Sequence, residues 1–195
     1  TLTDDDTGTD TGSTTTTITN VDPVIDSLAA TSVDENGTVH LTGTYHDQGT
    51  QDTHTLTIDW GEGMPESVAV SGGSFDIPHQ YLDDNPTGTV SDVYSIQFTL
   101  TDDDNDADSG STTTTISNVA PVITGTISGP SVAVPGQPLE YAVAGFTDVG
   151  TLDTHTTAWQ VTNSSDVVVA SGAGLNLPFT PTIPDVYTVT FTVTD

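Results

Sequence analysis

The sequence predicts an all-β protein built from repeated sandwich domains, and three observations carry that prediction. Apolar and polar residues alternate over short segments rich in Val, Ile, Thr and Tyr, which is the pattern of half-buried strands. Turns rich in Gly, Asp and Asn separate these segments. The phrase TLTDDD at 1–6 recurs at 99–104. A period of that length corresponds to one small domain rather than to one turn of a solenoid.

The first domain is predicted over residues 21–118. Four alternating segments give its inner strands, and they are GTVHLTGTY at 37–45, TLTIDW at 55–60, SFDIP at 74–78 and VYSIQFTL at 93–100. STTTTIS at 111–117 is β-branched and polar, which predicts an exposed final strand. Pro23 and Pro121 fix the backbone where each domain begins.

The second domain is predicted over 119–195 and repeats the plan without a last strand. Leu139, Tyr141 and Val143 alternate in one strand, and Trp159 and Val161 in the next. No segment has helical periodicity. About seven short strands with one buried Trp per domain predict tandem immunoglobulin-like β-sandwiches arranged head to tail.

Residues 1–20 are predicted to be the final hairpin loop and last strand of a preceding repeat, because they match 99–118. The alternative is that 1–20 act as a donor strand, completing the second domain of another subunit. Both interpretations predict a head-to-tail filament.

Three phrases in the first domain resemble the polycystic-kidney-disease (PKD) repeat: IDWGEG at 58–63, HQY at 79–81 and VYSIQFTLTDDD at 93–104. The second domain is more similar to bacterial Ig-like surface-protein repeats. The PKD resemblance implies a non-catalytic extracellular module, found in surface proteins and beside secreted hydrolases. It also implies calcium binding in some members, with ligands from the domain entry and adjacent loops.

The charge is the most unusual feature of the composition. The chain has 28 Asp and Glu, five His and no Lys or Arg, giving a formal net charge of −28. Nucleic acid and anionic membranes are poor partners for such a chain, because both require basic side chains. Its self-repulsion must be offset from outside, by bound cations, high salt or low pH.

The aspartates recur in loops that a sandwich brings to one end of each domain, and oxygen ligands of this kind suit calcium. The candidate ligands at this end are Asp4, Asp6, Asn20, Asp22, Asp47, Asp52, Asp102, Asp104, Asp106, Asn118, Asp148, Asp153 and Asp195. At the opposite end of the first domain they are Asp34, Glu35, Asp83 and Asp84. These four face the second domain, so a calcium ion shared across the junction would stiffen it.

Other interpretations of the aspartates remain open at this stage. Asp, Asn and Gly are ordinary residues of solvated turns, and an acidic surface is also a halophilic adaptation without specific sites. Magnesium prefers fewer protein ligands and more water than calcium. The loop that begins at Asp102 lacks the Gly at the sixth position and the Glu at the twelfth position of an EF-hand. His54 and His155 could bind zinc, or they could hydrogen-bond a carboxylate and fix the loop.

The function predicted from these features is an extracellular structural array, stabilised by calcium, that forms a filament, stalk or adhesin. Its partners would be further copies of itself or neighbouring repeats of a longer chain, with a glycan or surface ligand as a further partner. The alternative is a spacer or carbohydrate-binding module of a secreted enzyme. Catalysis is not expected, because the acids recur from domain to domain and no nucleophile motif is present.

Overall fold

The computed structural model describes residues 1–3, 5–85 and 88–195. The strands up to the middle of the chain are β1 Leu2–Thr3, β2 Thr9–Asp10, β3 Val24–Ala30, β4 Val33–Asp34, β5 Thr38–His46, β6 His54–Asp59, β7 Glu66–Val70, β8 Ser74–Gln80, β9 Ser91–Asp102 and β10 Ala107–Ser117. The remaining strands are β11 Val122–Thr124, β12 Leu139–Ala142, β13 Gly145–Thr147, β14 Thr156–Thr162, β15 Val168–Gly172, β16 Asn176–Phe179 and β17 Thr188–Thr194. No helix of the described residues is long and apolar enough to cross a membrane.

Strands β3 to β10 form a two-layer sandwich, here called unit one. One sheet has the order β3-β5-β8 and the other β4-β10-β9-β6-β7. The alternating segments place Leu41, Leu56, Ile96 and Leu100 between the sheets with no exposed surface, around the buried Trp60. The distribution of strands between two packed sheets is that of an immunoglobulin-like sandwich.

Strands β11 to β17, here called unit two, repeat these pairings around a separate core. The pairs β11–β13 and β12–β16 correspond to β3–β5 and β5–β8 of unit one, and β15-β14-β17 corresponds to β7-β6-β9. Trp159 lies at the centre of this second core. The Tyr187 hydroxyl donates to the Ile183 carbonyl oxygen four residues earlier at 3.0 Å, which is the tyrosine corner of immunoglobulin-like domains. Among the described residues, no strand pairs with the second edge of β17.

Residues 111–117 form the final strand of unit one, as predicted, but the prediction that this strand is exposed is wrong. Its segment lies in β10, which pairs with β9 on one edge and with β4 on the other. The pairing with β4 covers only Ile116 and Ser117, and the face of β10 that carries Thr114 and Ile116 packs on the core. Thr114 and Ile116 are only 1% and 0% exposed, and the Thr114 hydroxyl donates to the Thr31 carbonyl oxygen at 2.6 Å.

The equivalent phrase near the start of the chain behaves differently. Residues 11–23 form no strand, so the last strand predicted within 1–20 is not present in this structure. Among the described residues of 1–20, the only strands are β1 and β2, which pair over two residues each. In unit one, by contrast, β10 pairs with eleven residues of β9, so its backbone groups have ladder partners that those of 13–19 lack.

The same substitution should therefore have a large effect in one copy of the STTTTI phrase and almost none in the other. We expect Ile116→Ala to lower the free energy of unfolding of unit one by about 2–5 kcal/mol, because it leaves a cavity in the core. Ile18, which is 92% exposed, serves as the control, and Ile18→Ala should change the free energy by less than about 0.5 kcal/mol. Urea unfolding at low protein concentration measures both. Equal losses for the two variants would contradict the burial described for β10.

Candidate metal centre

The loop DQGTQDTH at 47–54 connects β5 to β6 and holds one carboxylate firmly. The Asp47 carboxylate accepts a hydrogen bond from the Gly49 amide at 2.8 Å, and its other oxygen lies 2.9 Å from His54 Nε2. The His54 ring packs against Tyr45, with ring centroids 5.1 Å apart. The histidine thus fixes the orientation of Asp47, as one of the two sequence-based interpretations predicted.

Unit two contains the same device in DVGTLDTH at 148–155. The Asp148 carboxylate accepts from the Gly150 amide at 3.3 Å and lies 2.7 Å from His155 Nε2. The His155 ring packs against Phe146 at a centroid distance of 4.9 Å. The sequence repeat is therefore a repeat of side-chain geometry.

Asp47, Asp52 and Asp102 form the first cluster of carboxylates, at the end of unit one where β5 and β9 end. One oxygen from each lies within 4.8 Å of the others. The Asn20 side-chain amide donates to Asp102 at 2.7 Å and to Asp106 at 3.1 Å. The chain entry, the β5–β6 loop and the β9–β10 loop therefore meet at this end, as predicted.

A second cluster lies where the two units meet. It brings together Glu35, Asp83 and Asp84 of unit one with Asp153 of unit two, each contributing an oxygen within 4.8 Å of the others. Asp153 also belongs to a third group, with Asp148 and His155. The cluster of Glu35, Asp83, Asp84 and Asp153 is called the junction cluster below.

The turn between β4 and β5 aims Glu35 at the junction. Asn36 has a φ of 58°, a left-handed conformation that Asn tolerates. Gly37 donates its amide to the Asp34 carbonyl oxygen at 3.0 Å, and a Cβ on Gly37 would collide with that same oxygen. The strand direction therefore reverses directly after Glu35, which leaves Asp34 exposed and Glu35 buried.

Asp83 and Asp84 are held beside this turn by the backbone that precedes β9. The Tyr81 amide donates to the Gly37 carbonyl oxygen at 3.2 Å, and the Tyr94 hydroxyl donates to the Asp83 carbonyl oxygen at 3.2 Å. Glu35, Asp83 and Asp84 are only 1%, 8% and 1% exposed. A buried carboxylate ordinarily has a hydrogen-bond donor or a counter-ion.

Each carboxylate of the junction cluster has one buried oxygen for which no protein donor is present among the described residues: Glu35 Oε2, Asp83 Oδ1, Asp84 Oδ2 and Asp153 Oδ2. Asp52 Oδ2 at the other end of unit one is in the same condition. Four converging oxygens without donors are the arrangement that an oxygen-binding cation requires.

Burial and mutual repulsion raise the pKa values of Glu35, Asp84, Asp153 and Asp52. Burial raises the pKa of Glu35 to about 7, against the hydrogen bond from the Val119 amide, and the charges of Asp153, Asp148 and Asp84 add to the rise. Burial, followed by neighbouring carboxylates, also raises the pKa of Asp84 and Asp153, and that of Asp52.

Asp47 differs from these acids, because its partners stabilise the charged form. Burial acts to raise its pKa, but hydrogen bonds from the Gly49 amide and the His54 imidazole hold that pKa below its usual value. This carboxylate therefore stays ionised and available as a ligand.

The structure does not gather all the predicted ligands. Asp6, Asp22, Asp34 and Asp104 are exposed and lie outside the three groups, and Asp4 lies outside the described residues. Asn118 and Asp195 pair with each other, the Asn118 amide donating to Asp195 at 3.1 Å, as Asn20 pairs with Asp102.

Sequence analysis missed the role of Gly49 and Gly150. A Cβ at either position would overlap the carboxylate three residues later, and at Gly150 it would also overlap Glu35 Oε2. The signal was in the sequence, because glycine occupies the same position in both copies of the D-x-G-T-x-D-T-H loop.

No protein-family model matches the chain, and no curated protein matches it. Among solved structures, it is similar to the FN1–FN3 domains of chicken CNTN1, with 12% identity and a TM-score of 0.33, covering 90% of this chain and 62% of that one. It is also similar to dimeric latent PorU from Porphyromonas gingivalis, with 13% identity and a TM-score of 0.34, covering 88% of this chain and 17% of that one. The chain thus spans less than two thirds of either structure, and the immunoglobulin-like assignment rests on its own strand order.

The raised pKa values predict that acid stabilises the protein when no divalent cation is present. A group whose pKa is higher in the folded state binds its proton more tightly there, so its contribution is lost as the pH rises. For Glu35 that loss falls between the ordinary pKa of 4.5 and about 7. In EDTA, we expect the melting temperature to rise as the pH falls from 8 to 5.

Glu35→Gln should make this pH dependence smaller, whereas the exposed neighbour variant Asp34→Asn should leave it as in the wild type. Calorimetry or circular dichroism melts in EDTA measure the effect. A melting temperature that falls on acidification over this range would contradict the assignment.

Proposed function

We propose that this chain is a structural segment of an extracellular array of immunoglobulin-like units, stabilised by calcium, that belongs to a filament, stalk or adhesin. The observation that carries the proposal is the junction cluster, in which three buried carboxylates of one unit converge with a half-buried carboxylate of the next. Carboxylate oxygens without hydrogen-bond donors converge beside the linker between the units. A cation bound there would fix the geometry between successive units.

The resemblance of unit one to the PKD repeat supports the same role and an extracellular location. The proposed role is non-catalytic, since every cluster occurs where units meet or where loops repeat. In unit one, Asp47 and Glu35 flank opposite ends of β5, about 30 Å apart at the usual rise per residue. Cation sites at both ends of a unit suit a rod of units joined head to tail.

The cluster of Asp47, Asp52 and Asp102 corresponds to the unit-two half of the junction. It lacks acids equivalent to Glu35, Asp83 and Asp84 among the described residues. We therefore propose that it binds calcium more weakly than the junction cluster, because it offers fewer carboxylates.

The alternative role, a carbohydrate-binding module, gains less support from the structure. Sugar platforms need exposed aromatic rings, but Trp60 and Trp159 are both buried in the cores. None of the Tyr or Phe side chains, all of which lie in the described residues, is exposed either. A role as a spacer beside a secreted enzyme is compatible with the same rigid geometry, and the enzyme would then be on another part of the protein.

Calcium should stabilise the protein specifically. A ligand that binds only the folded state at 100 times its Kd adds about 2.7 kcal/mol to the free energy of unfolding. We expect millimolar calcium to raise the melting temperature at pH 7.5 above its value in EDTA, and magnesium to raise it much less. Differential scanning calorimetry makes the comparison.

Sodium chloride at equal ionic strength is the control for the halophilic alternative. If sodium chloride stabilises the protein as much as calcium does, the aspartates act through general screening, and the calcium part of the proposal is wrong.

The free edge of β17 favours a second contact, with another copy of the chain. The corresponding strand of unit one, β9, pairs with β10 along this edge, and 12–19 repeats residues 110–117 of β10 with one change at the last residue. A cavity of about 370 Å³, lined in part by Val132, Val134 and Val186, lies beside Tyr187. We propose that 12–19 of one copy pairs with β17 of another, and that Ile18 enters this cavity as Ile116 enters the core of unit one.

This pairing predicts association that depends on Ile18. Sedimentation velocity over a range of protein concentrations should show dimers or longer assemblies of the wild type. Ile18→Asp should shift the equilibrium to monomer, while Val21→Asp, outside the pairing segment, should not. Monomers at every concentration would contradict pairing between copies and leave neighbouring repeats of a longer chain as the partners.

A further inference from the structure

We propose that one calcium ion binds between the two units, held by Glu35, Asp83 and Asp84 of unit one and Asp153 of unit two, and that this ion fixes the angle between the units. The inference rests on the proposed function, which it deepens from calcium stabilisation in general to control of one joint.

The spacing of the ligand oxygens fits one calcium ion. Calcium binds oxygen at about 2.3–2.6 Å, so two ligands on opposite sides of the ion lie about 5 Å apart. The four junction oxygens all lie within 4.8 Å of one another. They can therefore bind a single ion, with water or backbone oxygen completing six to eight ligands.

Burial and the missing donors show that the oxygens are aimed inward rather than into solvent. Glu35, Asp83 and Asp84 are each more than nine-tenths buried, and each keeps one oxygen that accepts no hydrogen bond among the described residues. An acidic turn on the surface would have turned these oxygens to water. The chain has no Lys or Arg that could replace the ion.

The ligand set is complete only when both units contribute. Unit one supplies three carboxylates and unit two supplies Asp153. The absence of a side chain at Gly150 leaves the space in which Glu35 Oε2 approaches Asp153. Binding therefore requires one relative placement of the units, and the binding free energy favours that placement over others.

Glu35 links the ion to the chain segment between the units. Its Oε1 accepts a hydrogen bond from the Val119 amide at 2.7 Å, and its own amide donates to the Ser117 carbonyl oxygen at 2.9 Å. Its Oε2 faces the cluster. Through its backbone amide and its side chain, Glu35 thus connects β10, the first residues after it and the ion, which makes it a ligand and a positioning residue at once.

Without the ion, the same acids drive the two units apart instead of holding them together. Four carboxylates within 4.8 Å repel one another, and those of unit one can separate from Asp153 if the units move apart. The apolar contact at the joint is small, because Leu152 of unit two, which lines a groove with Leu82 and Met64, remains 58% exposed. We expect the joint to be mobile without calcium.

The ligand chemistry selects calcium over the other common divalent ions. All four ligands are carboxylates, which are harder than the imidazole and thiolate that zinc prefers. Magnesium retains several waters and uses one or two carboxylates, so four converging acids fit it poorly. Two histidines lie near the joint, and both are bonded to other acids: His155 to Asp148, and His79, which lines the groove beside Asp83, to Glu62.

Distance distributions between the two units test the inference directly. The chain has no Cys, so spin labels at Ser109→Cys and Ser171→Cys, both exposed, report only the intended pair. Electron–electron double resonance is recorded in EDTA and in calcium. Calcium should narrow the distribution of the wild type to a single distance.

The sequence repeat supplies a matched control. Asp153 and Asp52 occupy the same position of the repeated loop, but only Asp153 belongs to the junction cluster. In calcium, the distance distribution of Asp153→Asn should stay broad, whereas that of Asp52→Asn should narrow to the width of the wild type. Narrowing in Asp153→Asn equal to that in the wild type would overturn the inference.

A variant that keeps every charge tests the geometry separately. Gly150→Ala places a methyl group against Asp153 Oδ2 and Glu35 Oε2 and should weaken calcium binding at the joint, measured by titration calorimetry, by at least about tenfold. Gly12→Ala, whose Cβ meets no atom within 4 Å, should leave the affinity unchanged. Equal affinities for the two variants would overturn the inference.

The outcomes also separate this inference from the proposed function. If calcium raises the melting temperature but leaves the wild-type distribution broad, calcium stabilises the units individually and the inference about the joint is wrong. If calcium changes neither quantity, both the inference and the calcium part of the proposed function are wrong.

Discussion

The absence of Lys and Arg is the constraint on which the rest of this structure depends. A buried carboxylate is ordinarily paired with a basic side chain. This chain has 28 acids and no Lys or Arg to pair with them. The only cationic groups available within the side chains are histidines, and each of the five histidines lies within 3.0 Å of an acid. Glu35, Asp83, Asp84 and Asp153 have no such partner, so their charge must be met by protons or by a cation from solution.

The two ends of unit two differ, and the difference follows from composition. The end that faces unit one carries Asp148, Asp153 and Asp195. At its far end, Tyr187 bonds the carbonyl oxygen of Ile183 as Tyr94 bonds that of Asp83, so unit two has Ile183 and Pro184 where unit one has Asp83 and Asp84. The surface there is apolar, with exposed Val132 and Val134. A contact at that end would rely on hydrophobic burial and strand pairing rather than on a shared cation, so successive joints of such an array would not be equivalent.

Much of the fold was predictable because alternation and repetition are strong signals. The inner strands of unit one and the burial of both tryptophans follow from period-two alternation in segments such as 55–60. The environment of β10 was not predictable from its polarity, since its Thr114 is buried through a hydrogen bond to a distant carbonyl oxygen. The strands of unit two were harder to predict. Unit two has two additional residues between Gly136 and Asp148, and they split the strand that corresponds to β5 into β12 and β13.

The candidate site was predictable by region but not by residue. Repetition identified Asp47, Asp52, Asp148 and Asp153, since each pair occupies one position of a shared loop. It could not distinguish Glu35 from Asp34, because the turn conformation at Asn36 decides which side chain turns inward. The meeting of Asp83 and Asp84 with Asp153 depends on the placement of one unit against the other, which no local pattern encodes.

The central claim is that the junction cluster is a calcium site, and a crystal structure grown in calcium tests it most directly. Anomalous scattering at long wavelength locates calcium without ambiguity. The account predicts one anomalous peak at about 2.3–2.6 Å from oxygens of Glu35, Asp83, Asp84 and Asp153. The absence of a peak there, with these carboxylates turned apart into solvent, would contradict it.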